Sequence, residues 1–151
     1  MNPSNYFNQI KILYWSILVA LLFLLMLGVW AVGHLGGIWT IPAADKETFK
    51  TILILLSLMA IPAGYKFHQK RISHLNPELS LIDKLKNYRT SFFINIVSLE
   101  ALAIIALTGY LFTADYVFLI IFGLLFVAFA INMPSKKRIE QELDQEQDNP
   151  V

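Results

Sequence analysis

Residues 12–32 read ILYWSILVALLFLLMLGVWAV and contain no charged side chain. At 1.5 Å of rise per residue, an α-helix of this length spans about 30 Å, which is the thickness of the hydrocarbon layer of a bilayer. Inside that layer an unpaired backbone group costs several kcal/mol, so the segment must be helical to satisfy its own N–H and C=O groups. The stretch therefore predicts a membrane-spanning α-helix.

Three further apolar stretches follow, at residues 49–67, 91–112 and 116–133. Hydrophobic residues make up 56% of the 151-residue chain and charged residues only 15%, the reverse of a disordered or nucleic-acid-binding composition. The sequence predicts an all-α integral membrane protein, an antiparallel four-transmembrane-helix bundle formed by residues 1–134. Residues 135–151 are expected to form a short cytoplasmic helix and an acidic tail.

Lysine and arginine residues are distributed unequally between the predicted loops. All but Lys46 and Lys50 of the 12 cations lie in the N-terminus, in residues 66–90 or in the C-terminal tail. Loops rich in Lys and Arg remain in the cytoplasm, and the loops on the opposite side are poor in them. We therefore expect the protein in a bacterial-type inner (plasma) membrane, with both termini and the loop 68–90 in the cytoplasm.

The second half of the loop 68–90 has the pattern of a helix. Asn76-Pro77-Glu78 combines a helix-capping residue, a proline suited to the first turn and an acid near the positive end of the helix dipole. No helix breaker separates this motif from the span 91–112. The sequence predicts one helix from Pro77 to Phe112, whose first turns form an amphipathic cytoplasmic extension of the third span.

Two helix-disfavouring residues lie near the inner end of the second span. Pro62 removes one backbone hydrogen bond and crowds the preceding turn, and Gly64 follows two residues later. This pair predicts a kink in the second helix.

Glu100 is the one ionisable residue of the sequence near the middle of any predicted span. No Lys, Arg or His occurs at a similar depth, so an ion pair within the chain is excluded. Ser57, Asn95 and Ser98 are the other polar candidates inside the spans. Three roles remain open for Glu100: a hydrogen-bonded contact between helices, a pair with a cation of another subunit, or the carriage of protons or cations.

A group of cations lies near the two ends of the segment 66–90. Their placement fits contact with anionic lipid headgroups, and it is explained equally well by membrane orientation alone. The candidate headgroup contacts are Lys66, Lys70, Arg71, Lys84, Lys86 and Arg89.

No reaction is indicated by the motifs of the chain. Cysteine is absent, the three histidines lack metal-ligand spacing, and no phosphate-binding loop or nucleophile motif occurs. We expect no catalytic residue, metal or cofactor. The composition favours a non-enzymatic accessory or scaffold subunit that forms an oligomer or packs in a membrane complex, with the bilayer and a membrane protein as partners and no nucleic acid. The alternative is a small oligomeric proton- or cation-coupled transporter or channel that uses Glu100.

The charge asymmetry predicts the outcome of a labelling experiment. Because the chain has no native cysteine, single cysteines can be introduced at Ala44 and at Asn76 and treated with a membrane-impermeant maleimide in whole cells and in inverted vesicles. Ala44→Cys should react only in cells and Asn76→Cys only in inverted vesicles. Reaction of both in whole cells would contradict the orientation.

Overall fold

Four α-helices make up the fold. The computed structural model describes residues 3–37, 42–73 and 79–135, together with 137 and 139. Within these residues the helices are α1 (Pro3–Leu35), α2 (Ala43–Ser73), α3 (Leu81–Thr113) and α4 (Tyr116–Ile131), and no strand occurs. The expected all-α class is confirmed for this part of the chain.

Three of the helices are long and apolar enough to cross a membrane. Their apolar segments are Asn5–Leu35, Ala43–Arg71 and Ile82–Thr113. The helix α4 is equally apolar, but its 16 residues measure about 24 Å, which is less than the ~30 Å hydrocarbon layer. The fourth span therefore stays a prediction. The helix α4 also ends two residues before the expected boundary at Met133.

Glycine and alanine in the left-handed conformation end two of the helices. Gly36 follows α1 with φ of 71°, and its N–H donates to the Val32 carbonyl at 2.9 Å. Ala114 follows α3 with φ of 51°, and its N–H donates to the Tyr110 carbonyl at 2.8 Å. Each bond satisfies a carbonyl that the helix end would leave unpaired.

The start of α3 differs from the sequence-based expectation. Its N-cap is Ser80, whose hydroxyl accepts a hydrogen bond from the Asp83 N–H and donates to the Asp83 carboxylate at 2.6 Å. This reciprocal cap begins α3 at Leu81, so the expectation that the third helix starts at Pro77 is wrong. The motif at 76–78 lies outside the described residues. The helix then continues without a break to Thr113, as predicted.

The other three helices pack on α3. The helix α1 does so with a stripe of buried residues spaced three or four apart, which keeps them on one face. Toward its end, Gly28 lies against the Leu107 side chain of α3. The buried residues of the α1 stripe are Tyr6, Ile10, Tyr14, Ile17 and Leu21.

The helix α2 makes a narrower contact and remains helical through Pro62. Among the α2 side chains whose burial is described, Leu53 and Ser57 are buried and most of the other apolar ones are exposed. The helix α4 lies against both α2 and α3. It also contacts α1, where the Tyr14 hydroxyl donates to the Phe129 carbonyl at 3.2 Å and the two rings stack.

An ion-pair cluster joins the start of α2 to the turn between α3 and α4, which we call the Asp115 end. Asp115 caps α4 by accepting from the Val117 N–H at 3.0 Å, and its carboxylate also pairs with Lys46 at 2.8 Å and Lys50 at 3.1 Å. The hydrogen-bonded Lys46 ammonium and then the Val117 N–H hold the pKa of Asp115 well below its usual range. The carboxylate is thus charged at every physiological pH.

Two substitutions at Asp115 should separate capping from charge. Asparagine keeps the N-cap and removes the ion pairs, so Asp115→Asn should cost about 0.2–1 kcal/mol, whereas Asp115→Ala should cost about 0.5–2 kcal/mol more. Thermal unfolding in detergent, followed by circular dichroism, measures both. Asp45→Asn, which removes an exposed acid without a described partner, is the matched control.

The same lowered pKa of Asp115 sets the pH dependence. A lowered folded-state pKa contributes stability above the unfolded-state pKa of about 3.9 and loses it as the pH falls toward the folded-state value. The stability difference between wild type and Asp115→Asn should therefore be constant from neutral pH to about pH 5 and shrink below about pH 4. A difference that does not change with pH would contradict the ion-pair assignment.

Candidate functional site

Glu100 lies on the side of α3 that faces α1. Arg89 bonds to Gln9 of α1, and Leu107 lies against Gly28 of α1. Glu100 follows Arg89 by about three turns and precedes Leu107 by about two, so all three share one face of the helix. The parallel register of these two contacts places Glu100 level with Leu21, near the middle of the bundle.

Glu100 is partly buried on the side of α3 that faces α1. Within the described part of the chain, no group hydrogen-bonds to it and no cation pairs with it. Leu21 at the same level offers no hydrogen-bond donor. The described residues therefore provide no bond that would support a role in which Glu100 joins two helices of this chain.

The hydroxyl groups inside the helices are satisfied locally. Ser57 donates to the Leu53 carbonyl at 2.7 Å, and Ser98 donates to the Ile94 carbonyl at 2.8 Å. Such bonds to the preceding turn let a helix carry a hydroxyl in apolar surroundings. Ser57 is buried in the bundle and Ser98 is exposed. Because each hydroxyl donates its hydrogen within its own helix, neither one donates to Glu100.

Asn95 lies at a close approach of α2 to α3. Its side chain is only 4% exposed, and its Oδ1 atom occupies the place where a Cβ atom at Gly64 would lie. Among the described residues the amide has no hydrogen-bond partner. Only glycine admits this approach, because any other residue would place its Cβ atom on the amide oxygen. The sequence treated Gly64 as a helix-disfavouring residue and missed this packing role.

The predicted cation set gathers at the opposite end of the bundle from Asp115, which we call the Arg89 end. Two of its members are not fully exposed, unlike the other four. Lys84 is only 6% exposed, and Arg89 is partly buried against α1. The others are exposed, namely Lys66, Lys70, Arg71 and Lys86.

Arg89 adjoins an open depression between α1 and α3. Its guanidinium donates to Gln9 Oε1 at 2.6 Å and lies 5.5 Å from the centre of the Tyr6 ring. This three-residue contact was not predicted from sequence, because Gln9 lies 80 residues before Arg89, with the rest of α1 and the whole of α2 between them. The depression is lined by Gln9, Leu13, Arg89, Thr90 and Phe93.

Metal-ligating side chains do not converge in the described residues: no three of His, Asp or Glu lie close enough to hold an ion. Comparison of the chain with protein-family models, with curated proteins and with solved structures finds no match. The chemistry of the individual side chains is thus the basis for proposing a function.

The Gly64–Asn95 contact can be tested by adding volume in steps. Gly64→Ala should lower the stability of the detergent-solubilised protein by about 1–3 kcal/mol, the usual cost of overpacking, because the new methyl group meets the Asn95 amide. The double variant Gly64→Ala, Asn95→Ala should recover most of the loss. Gly33→Ala is the control, since no atom lies within 4 Å of a Cβ atom built there. Equal melting temperatures of wild type and Gly64→Ala would contradict the close approach.

Proposed function

We propose that this protein is an integral membrane protein that acts as a non-enzymatic accessory or scaffold subunit. In this proposal it spans a bacterial-type inner membrane four times and keeps both termini in the cytoplasm. It associates there with a membrane protein, either another copy or a different chain. Three observations support the proposal: the exposed apolar surface of the protein, the distribution of its charges, and the lack of a described partner for Glu100.

The exposed apolar surface supports insertion in a membrane. Met26 of α1 is 71% exposed and Leu58 of α2 is 63% exposed, and both belong to long helices with many exposed apolar neighbours. A soluble monomer rarely exposes a contiguous apolar patch larger than a few hundred Å². Lipid chains, or another protein within the membrane, would cover these faces.

The charge distribution supports the proposed orientation. Both lysines of the Asp115 end are engaged, Lys46 with Asp115 and Lys50 with Asp115 and Glu47. The Arg89 end instead presents exposed cations. This asymmetry is the one expected if the Arg89 end faces the cytoplasm, where Lys and Arg residues are retained. The fourth span requires local thinning of the bilayer or tilting of its neighbours, because α4 is short.

The main support for an accessory or scaffold role is that Glu100 has no hydrogen-bond or ion-pair partner among the described residues. A charged side chain at the bilayer centre costs about 2.5–3.5 kcal/mol on insertion scales, and it is normally offset by a hydrogen-bond donor or a cation. The described residues provide neither to Glu100, and the sequence has no Lys, Arg or His at that depth. A cation partner must accordingly come from a different protein, whereas a neutral donor could come from a second copy.

The alternative function is transport of protons or cations, which would use the same residue, Glu100. Proton and cation pathways generally use several polar groups at stepped depths. Here the Ser57 and Ser98 hydroxyls bond within their own helices. The Asn95 side chain is buried toward α2, on a different face of α3 from Glu100. The arrangement favours a contact over a pathway.

Affinity purification in a mild detergent tests the association. Wild type should retain a stoichiometric partner, and Glu100→Leu should weaken the association by about 1–2 kcal/mol, the range of hydrogen bonds between transmembrane helices in model peptides. Ser98→Ala is the matched control on the same helix. If Glu100→Gln retains the partner, the donor is neutral; if it releases the partner as Glu100→Leu does, the donor is a cation of a different protein.

Proton flux distinguishes the alternative function. Wild type and Glu100→Gln are reconstituted in proteoliposomes containing a pH-sensitive dye, and a pH gradient is applied. No flux above empty vesicles is expected for either protein. Flux in wild type that disappears in a normally folded Glu100→Gln would contradict the scaffold role and support the transporter.

A further inference from the structure

The guanidinium of Arg89 is held in one position by α1. Gln9 Oε1 accepts a hydrogen bond from Arg89 Nη1 at 2.6 Å, and the Tyr6 ring lies under the guanidinium at 5.5 Å. Tyr6 is itself buried in the core. An arginine fixed in this way loses less conformational entropy when it binds an anion than a free surface cation would.

Hydrogen-bond donors remain free beside this contact. A guanidinium has five N–H groups, and in the described structure Arg89 gives one of them to Gln9. The side-chain N–H₂ group of Gln9 also has no described partner. Both residues line the same open depression. Planar guanidinium donors suit the bidentate binding of a phosphate group.

The rest of the depression is apolar except for Thr90, whose hydroxyl donates to the Lys86 carbonyl at 3.0 Å. Leu13 lies on its α1 side, and Phe93, which is 43% exposed, lies on its α3 side. Helical spacing continues these walls toward Glu100 through Ser16 and Ala20 on α1 and Val97 on α3. Ser16 and Ala20 are exposed and small, so an acyl chain that runs from the guanidinium along the two helices would meet no bulky side chain at these positions.

We propose that this depression binds one anionic phospholipid, with its phosphate on Arg89 and Gln9 and an acyl chain along Leu13 and Phe93. The inference rests on the proposed membrane insertion and goes beyond general attraction of the basic end to a lipid surface. An exposed second cation, Lys86, lies about one turn before Arg89 on the same side of α3. Two cations favour a headgroup of net negative charge over a zwitterionic one. The apolar side chains of Leu13 and Phe93 in the lining favour a lipid over free phosphate.

Native mass spectrometry tests the lipid preference. The protein in non-ionic detergent is titrated with equal amounts of phosphatidylglycerol and phosphatidylcholine that carry the same acyl chains. Wild type should retain phosphatidylglycerol about five-fold more than phosphatidylcholine for each cation engaged. Arg89→Gln should lose most of that preference. Arg71→Gln removes the same charge from an exposed position at the same end and should keep it.

A second variant separates the fixed geometry from charge alone. Gln9→Leu leaves the charge of Arg89 in place and removes its hydrogen-bonded support, so it should also reduce the preference for phosphatidylglycerol. This variant keeps the test valid if Arg89→Gln does not fold. No preference in wild type, equal losses in Arg89→Gln and Arg71→Gln, or full preference in Gln9→Leu would each overturn the proposed site.

Two further measurements test for a free-phosphate site and for a failure of membrane insertion. Inorganic phosphate in large molar excess should leave phosphatidylglycerol bound, and complete displacement would indicate a free-phosphate site and overturn the proposal. Membrane fractionation of the expressing cells tests insertion separately. Protein that resists extraction with carbonate but shows no lipid preference would leave the proposed function standing and reject only the lipid site.

Discussion

The packing of α1, α2 and α4 on α3 is the interaction on which the rest of the structure depends. Each of the three buries its apolar stripe against this helix, while the outer faces of α1 and α2 stay open. A helix that is apolar on all sides could pack in many rotations about its own axis. Close contacts select one of them: Gly28 on Leu107 for α1, and Gly64 on Asn95 for α2. Glycine at these points lets the helices approach closely, as is common where van der Waals packing holds transmembrane helices together.

Polar contacts then fix the two ends of the bundle. At one end, Asp115 joins the α3–α4 turn to the first turns of α2. At the other end, Arg89 joins α3 to the first turns of α1 through Gln9 and Tyr6. Each contact connects segments that are distant in sequence. Together they oppose sliding of the long helices along one another, which apolar packing alone would resist only weakly.

Glu100 has no comparable contact. Its position between two apolar helices, without a donor in the described residues, leaves its hydrogen-bonding capacity for something outside the chain. The Arg89 depression lies on the same side of α3, about three turns away. The side of the bundle where α1 meets α3 therefore carries both features that we connect with binding: the Arg89 depression at its end and a carboxyl group near its middle. The α2 side carries no comparable pair of features among the described residues.

Much of the secondary structure was predictable because it follows from local sequence. Long apolar runs predict helices, Gly36 marks the end of α1, and the two-residue connection before α4 allows only a hairpin. The start of α3 was misplaced because Asn76-Pro77-Glu78 is a strong local signal, whereas the Ser80–Asp83 cap that begins the helix is a weaker one.

Contacts between helices could not be predicted in the same way, since they depend on how each helix is rotated. The sequence by itself determined that Glu100 has no cation at its depth, because that is a matter of composition and spacing. Only the tertiary structure decided that Glu100 lies on the α1 side of α3, that Asn95 lies against Gly64, and that Arg89 bonds to Gln9. The physical reason is that a helix apolar on every side carries no periodic signal of which face is buried, so packing alone selects it.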